Sequence, residues 1–147
     1  MEHASMPLGM AIGKMMHQFF RLLKKRLSEQ TDITITLEQM GLLHLLMESK
    51  EDLIQKDMAS CMGKDKSTVL RMIDSLEAKE LVRRVVDLKD RRKNYLMVTK
   101  KGEKVMEMFK TIHDNVAQEI TKGINKEELE IFYKVLHQLE TASASLL

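Results

Sequence analysis

The stretch from Lys64 to Thr99, KDKSTVLRMIDSLEAKELVRRVVDLKDRRKNYLMVT, changes its hydrophobic period part-way along, and that change limits the folds open to the chain. Val69, Met72, Ile73 and Leu76 fall at i, i+3, i+4 and i+7, which predicts a helix with one apolar face. Asp65 stands at the N-cap position. Ser67, Thr68, Arg71 and Ser75 lie away from the apolar face and are expected to point outward. Beyond Leu81 the period shortens. Val82, Val85 and Val86 have β-branched strand character, and Tyr95, Met97 and Thr99 alternate with Asn94, Leu96 and Val98. The connection Asp87-Leu88-Lys89-Asp90-Arg91-Arg92-Lys93 is too charged to pack against a core, so it predicts the exposed tip of a hairpin.

Upstream, Thr36-Leu37-Glu38-Gln39 has the spacing of a capping box, with Leu37, Met40, Leu43, Leu46 and Met47 behind it. A charged turn at Lys50-Glu51-Asp52 follows, then Leu53-Ile54 as a short edge strand. A helix from about Gln55 is expected to turn Met58, Ala59 and Met62 inward, and Gly63 supplies the turn before Asp65. Helix, glycine-containing turn, helix is a helix-turn-helix. With the hairpin added, the outline is a winged helix-turn-helix, mainly α with a small β-hairpin wing. In such a module the second helix enters a DNA major groove, and the hairpin tip reaches the flanking backbone or minor groove.

Charge supports that outline. The whole chain has a net charge of +2, but residues 53–104 hold 14 Lys/Arg against 8 Asp/Glu, a net of +6, which leaves −4 for the rest. A basic patch coinciding with a helix–hairpin pattern is the electrostatic footprint of a nucleic-acid binder.

Three amphipathic stripes flank the module. Ile12, Met16, Phe19, Phe20, Leu23 and Leu27 form one, following Pro7 and running to about Gln30. Val105, Met108, Phe109, Ile112, Val116 and Ile120 form a second, which Thr99 can cap and Gly123 can end in the left-handed conformation. Leu129, Phe132, Val135, Leu136 and Leu139 form the third, behind an Asn125/Glu128 capping pair. A module this small cannot cover all three, so they are expected to pack across a two-fold axis in a homodimer. The expected division is an N-terminal dimerisation helix over 1–35, the DNA-binding module over 36–100, and C-terminal dimerisation helices over 101–147.

This order resembles the MarR family of bacterial transcriptional regulators. The likeness rests on Gly63–Val69, on Leu76-Glu77-Ala78-Lys79-Glu80-Leu81-Val82-Arg83-Arg84, and on Asp87–Arg92. It continues through Leu96–Gly102, with its threonine-x-x-glycine. Lys64 stands where the family often has an apolar residue, and Asp65 where it often has serine. The resemblance implies a homodimer binding palindromic double-stranded DNA, usually as a repressor and often released by a small ligand or an oxidant. It assigns DNA contact to Lys66, Ser67, Thr68, Arg71 and Ser75 on the helix and to Asp90, Arg91 and Arg92 in the wing. Arg92 resembles the arginine that enters the minor groove, and Asp90 its orienting partner. Ser67 and Thr68 are expected to donate to phosphates or meet a thymine methyl, and Arg71 to reach a guanine or a phosphate. A small aromatic ligand is expected at the joint between the long helices and the DNA module, with His17, Phe20 and Met47 as wall residues.

Other classes fit poorly. Cys61 is the single cysteine, so neither a disulfide framework nor a CxxC zinc site exists, and its expected role is a small apolar one. His3, His17, His44, His113 and His137 show no metal-ligand spacing, and no glycine-rich phosphate loop is present. The expectation is no enzyme, no cofactor, no metal, no membrane span and no signal peptide, hence a cytoplasmic protein. The alternative is a winged-helix protein-interaction module without sequence-specific DNA binding.

Overall fold

The computed structural model describes residues 6–49, 55–92 and 94–147, without the side chains of residues 55–57 and 61. The edge strand expected at Leu53-Ile54 and the role expected of the Cys61 side chain lie outside the described residues. In chain order the elements are α1 (Leu8–Gln30), α2 (Leu37–Glu48), α3 (Gln55–Met62), α4 (Lys66–Ala78), β1 (Val82–Val86), β2 (Asn94–Val98), α5 (Lys100–Thr121) and α6 (Lys126–Ser145). The fold is mainly helical, with one two-stranded antiparallel wing. It forms two units, Met1–Ile112 and His113–Leu147, and α5 runs from the first into the second.

The core of the first unit is assembled from short apolar stripes. Met40, Leu42 and Leu43 of α2, Met58 of α3, and Val69, Met72, Ile73 and Leu76 of α4 are buried, together with Leu81, Val82, Leu96, Val105 and Met106. α2 and α3 both pack on α4 and β2, while α4 packs on β1. The strands pair antiparallel, with Val82 opposite Val98, Arg84 opposite Leu96 and Val86 opposite Asn94.

Local chemistry sets the boundaries. The Thr36 hydroxyl accepts from Gln39 N at 3.1 Å, and Gln39 Oε1 accepts from Thr36 N at 3.0 Å, which closes the expected capping box. Gly63 takes φ 62° in the turn between α3 and α4. At the end of α4 it is Glu80 that turns left-handed, with φ 61°, and Leu81 N donates back to Leu76 O at 3.0 Å. This conformation costs a residue with a Cβ on the order of 1 kcal/mol relative to glycine. Thr99 joins the wing to α5. Its hydroxyl donates to Glu80 O at 2.6 Å and accepts from Gly102 N at 3.0 Å. A Cβ on Gly102 would lie 2.2 Å from Leu81 O and 2.8 Å from Val98 Cγ1, so this site admits only glycine.

Two expectations need correction. Leu37, expected inward, is exposed, whereas Leu42 and the polar Gln39 are buried. α2 carries apolar residues around most of its circumference, so spacing alone does not define its inner face. Gly123 does not end α5 in the left-handed region. The helix stops at Thr121, and an Ile124 N to Thr121 O bond of 2.9 Å closes an ordinary right-handed turn.

In the second unit, Asn125 Oδ1 accepts from Glu128 N at 2.8 Å and starts α6. No residue of α6 is buried within the chain. Ile131, Phe132 and Tyr133 are each more than half exposed. Leu8, Met10, Met15 and Met16 of α1 are exposed as well. Among the described residues, no helix is long and apolar enough to cross a membrane.

Candidate nucleic-acid interface

α4 turns Val69, Met72, Ile73 and Leu76 into the core, so the opposite face must meet solvent or a partner. Lys66, Ser67 and Arg71 lie on that outer face and are exposed, with Thr68 half-buried beside them. Asp65 organises the front of the helix. Its Oδ1 accepts from Thr68 N at 2.9 Å and from the Ser67 hydroxyl at 2.7 Å, and its Oδ2 accepts from the Thr68 hydroxyl at 2.6 Å. The Thr68 hydroxyl, then the Ser67 hydroxyl and the Thr68 amide, hold the Asp65 carboxyl well below the usual carboxylate range. Both hydroxyl protons therefore point at Asp65. Outward, Ser67 and Thr68 offer lone pairs, which suit the amino groups of adenine and cytosine better than phosphate oxygens. Arg71 Nη2 donates to Thr68 Oγ1 at 3.4 Å, which lays the guanidinium along the same face.

Ser75 differs from the others. It is half-buried, and its hydroxyl accepts from Gln39 Nε2 at 2.9 Å. The structure thus joins Ser75 to α2 as well as placing it near the outer face.

The wing is a compact basic tip. Asp87 shapes its entry: Oδ1 accepts from Lys89 N at 2.8 Å and Oδ2 from the Tyr95 hydroxyl at 2.9 Å. Asp90 Oδ1 accepts from Arg92 N at 3.1 Å. Asp90 therefore orients Arg92 through the backbone, whereas the sequence suggested a partner for the side chain. Lys89, Arg91 and Arg92 are exposed, and Leu88 between the acids stands fully in solvent.

Arg84 connects the two halves of the interface, a role the sequence reading missed. Its Nη1 donates to Glu77 Oε1 at 2.7 Å, its Nη2 to Asp74 Oδ1, and its backbone N to Glu77 Oε2 at 3.0 Å. Burial alone would pull the guanidinium pKa down. Its hydrogen bonds to Asp74 and Glu77, and their charges, more than reverse that, so Arg84 stays charged. The signal was present in the sequence as two carboxylates three apart on one helix, followed by an arginine on the next strand. Lys64, which departs from the resembling pattern, donates to Glu38 Oε1 at 2.9 Å and so ties the turn before α4 to α2.

The ligand-wall candidates lie on α1 and α2 of the first unit. His17 is exposed, Phe20 is half-buried, and Met47 is exposed near the end of α2.

A helix with a polar outer face, tethered to a basic hairpin, is also the arrangement found in proteins similar to this chain. The model of the MarR family matches residues 32–93, the whole of the helix-turn-helix and most of the wing. Over those residues the chain matches the MarR family. Solved structures extend the likeness through the flanking helices. The S. aureus MepR–DNA complex is 27% identical, covers 94% of this chain and 99% of that one, and superposes with a TM-score of 0.79. Wild-type MarR from E. coli in its apo form shares 24% identity over 91% of this chain and 97% of that one, with a TM-score of 0.73. The transcriptional repressor CouR bound to a 23-mer DNA duplex shares 21% over 91% and 92%, with a TM-score of 0.77. The last two establish the fold alone. Together with the likeness to the MepR–DNA complex, that match marks this chain as a DNA-binding transcription regulator of the MarR type.

Proposed function

We propose that this protein is a homodimeric cytoplasmic repressor that binds a palindromic operator and releases it when a small aromatic ligand or an oxidant acts on it. The observation that carries the reading is the pairing of α4 with the wing. Arg84 holds β1 to Asp74 and Glu77, so one polar helix face and one basic tip are presented as a single surface. Arg71 carries sequence information, with Ser67 and Thr68 meeting base amino groups. Lys66 and Arg91 contact the backbone, and Arg92 enters the minor groove, where negative potential concentrates.

The dimer reading is supported by apolar faces left open within one chain. α6 buries nothing, and the first half of α1 exposes Leu8, Met10, Ile12, Met15 and Met16. Surfaces of this kind mark interfaces. An effector works by binding two dimer conformations unequally, and favouring one whose recognition helices are misplaced for successive major grooves. His17, Phe20 and Met47 are the proposed contacts for such a ligand.

The test is selection of bound fragments from the source genome with purified protein, followed by affinity measurement over a salt series. Enrichment of a palindrome, with affinity falling steeply as salt rises, is the expected result. Binding that ignores both sequence and salt would favour the protein-interaction module instead. Phenolic compounds and an oxidant are then added to the operator complex, and release is the expected response.

A further inference from the structure

Gln39 is the one buried polar residue among the described ones, and the DNA contacts proposed above do not use it. Its side-chain amide makes three hydrogen bonds to three different partners. Oε1 accepts from Thr36 N at 3.0 Å and from Lys79 Nζ at 3.4 Å, and Nε2 donates to Ser75 Oγ at 2.9 Å. Lys79 Nζ also donates to the backbone oxygen of Thr34. The amide therefore joins the segment that follows α1, the first turn of α2, the last half of α4 and the α4 C-cap.

Apart from the Arg84 bonds that join Asp74 and Glu77 to β1, the rest of the hold on α4 is apolar. Val69, Met72, Ile73 and Leu76 decide which side of the helix turns inward. Apolar burial is non-directional, so it tolerates a small roll or slide of the helix at little cost. A hydrogen-bonded amide in a dry site does not, because each misplaced group is left unsatisfied. Two bonds set the position of α4 against the 31–36 linker: Gln39 to Ser75, and Lys79 to Thr34.

We propose that Gln39 is a positioning residue for DNA recognition, holding α4 through Ser75 at the angle and register that fit a major groove. Because the same amide caps Thr36, a displacement of the linker that leads from α1 is passed to the middle of α4 through this side chain, beside the Lys79–Thr34 bond at the helix end. Ser75 then acts inward, as the anchor Gln39 holds, and not as a base contact. The proposal rests on the DNA-binding reading of α4.

The experiment is a double-mutant cycle on the intact dimer, with Gln39→Met, Ser75→Ala and the double variant, measured on a selected operator and on a scrambled duplex. Thermal midpoints are recorded in parallel. Each single variant is expected to lose about tenfold in operator affinity and less than about twofold on the scrambled duplex. The double variant is expected to lose no more than the weaker single. Gln39→Glu is the conservative rescue. Its carboxylate still accepts from Thr36 N and Lys79, and the Ser75 hydroxyl can turn to donate, so operator affinity is expected within about threefold of wild type. A purely structural role would lower both affinities together with the folded fraction. If Ser75→Ala weakens operator binding by the same factor with and without Gln39→Met, Ser75 touches DNA directly and the proposal is wrong. Unchanged operator affinity in Gln39→Met also overturns it. Should Gln39→Met fail to fold, amide exchange in Ser75→Ala decides. Faster exchange at Thr36 N, where the released amide loosens its cap, supports the link, and an unchanged rate with unchanged operator affinity refutes it. A wild-type protein that enriches no duplex sinks the DNA reading and this proposal together. Duplex enrichment with indifferent variants sinks this proposal alone.

Discussion

α4 and α6 carry the same kind of sequence signal and meet opposite fates. Each opens with a side-chain cap, Asp65 for one and Asn125 for the other, and each has an apolar stripe at helical spacing. In α4 the stripe vanishes into the core, where Val69, Ile73 and Leu76 have almost no contact with solvent. In α6 the equivalent stripe of Phe132, Val135 and Leu136 stays exposed, and no residue of the helix is buried. Periodicity therefore reports that a face must be covered, not by what. The chain itself covers α4, whereas α6 is left uncovered within the chain, the face that the proposed dimer would bury.

The largest expected effect sharpens this contrast through two glycines. Gly102→Ala drives a methyl group into Leu81 O, a backbone atom with nowhere to go, and should destabilise the protein by about 3 kcal/mol or leave it unfolded. Gly123→Ala, just before α6, meets nothing within 4 Å and has an ordinary φ, so its effect should stay within about 0.5 kcal/mol. Urea unfolding of both variants checks the difference, and equal losses would break it.

Core truncation comes next. Leu76→Ala in α4 should cost about 3 kcal/mol at any protein concentration, because the cavity lies inside one chain. Phe132→Ala in α6 should instead raise the dimer dissociation constant by about tenfold, with an unfolding midpoint that depends on concentration. Sedimentation and unfolding at two concentrations separate the cases. A Phe132→Ala dimer as tight as wild type would show that α6 is not the interface.

How much of this was visible beforehand depends on where the defining interactions lie. The α4 helix, the wing and both capping boxes were legible because local spacing encodes them, and the glycine after Thr99 was marked only by the family resemblance. The face of α2 was not, since apolar residues surround most of it and only packing against α4 and β2 selects Leu42 over Leu37. Gly123 was assigned a left-handed turn that α5 does not make, while the left-handed residue that ends α4, Glu80, has a side chain that gives no hint of it. On the outer face, Asp65, Ser67, Thr68 and Arg71 were identifiable from helical phase. The direction of their protons was not, because it depends on which neighbour the hydroxyls find. The bonds of Arg84 and Lys79, and the one from Gln39 to Ser75, were overlooked because the partners come from other elements, 7 to 45 residues away.

Smaller effects probe the ends of α4. Glu80→Gly relieves a left-handed residue and should stabilise by about 1 kcal/mol, less the weak Lys101–Glu80 ion pair at 3.6 Å. A lower urea midpoint for Glu80→Gly would contradict the strain. At the other end, the folded pKa of Asp65 lies below its unfolded value of about 3.9. Its contribution is therefore fully present above that value and is lost as pH falls through the lower, folded pKa. Asp65→Asn should lower the urea midpoint slightly at pH 7, and the gap should narrow toward pH 2. A gap that widens in acid would reverse the assignment.

The central claim is that α4 reads sequence while the wing supplies affinity, and one measurement addresses it most directly. Wild type, Arg71→Ala and Arg92→Ala are titrated onto a selected operator and a scrambled duplex across a salt series. Arg71→Ala should lose about 1–3 kcal/mol on the operator and relax preference at one base position, with little change on the scrambled duplex. Arg92→Ala should weaken both duplexes and flatten the salt slope by about one per subunit. If Arg92→Ala keeps the wild-type affinity and slope while Arg71→Ala binds both duplexes as wild type does, neither helix nor wing touches DNA and the account fails.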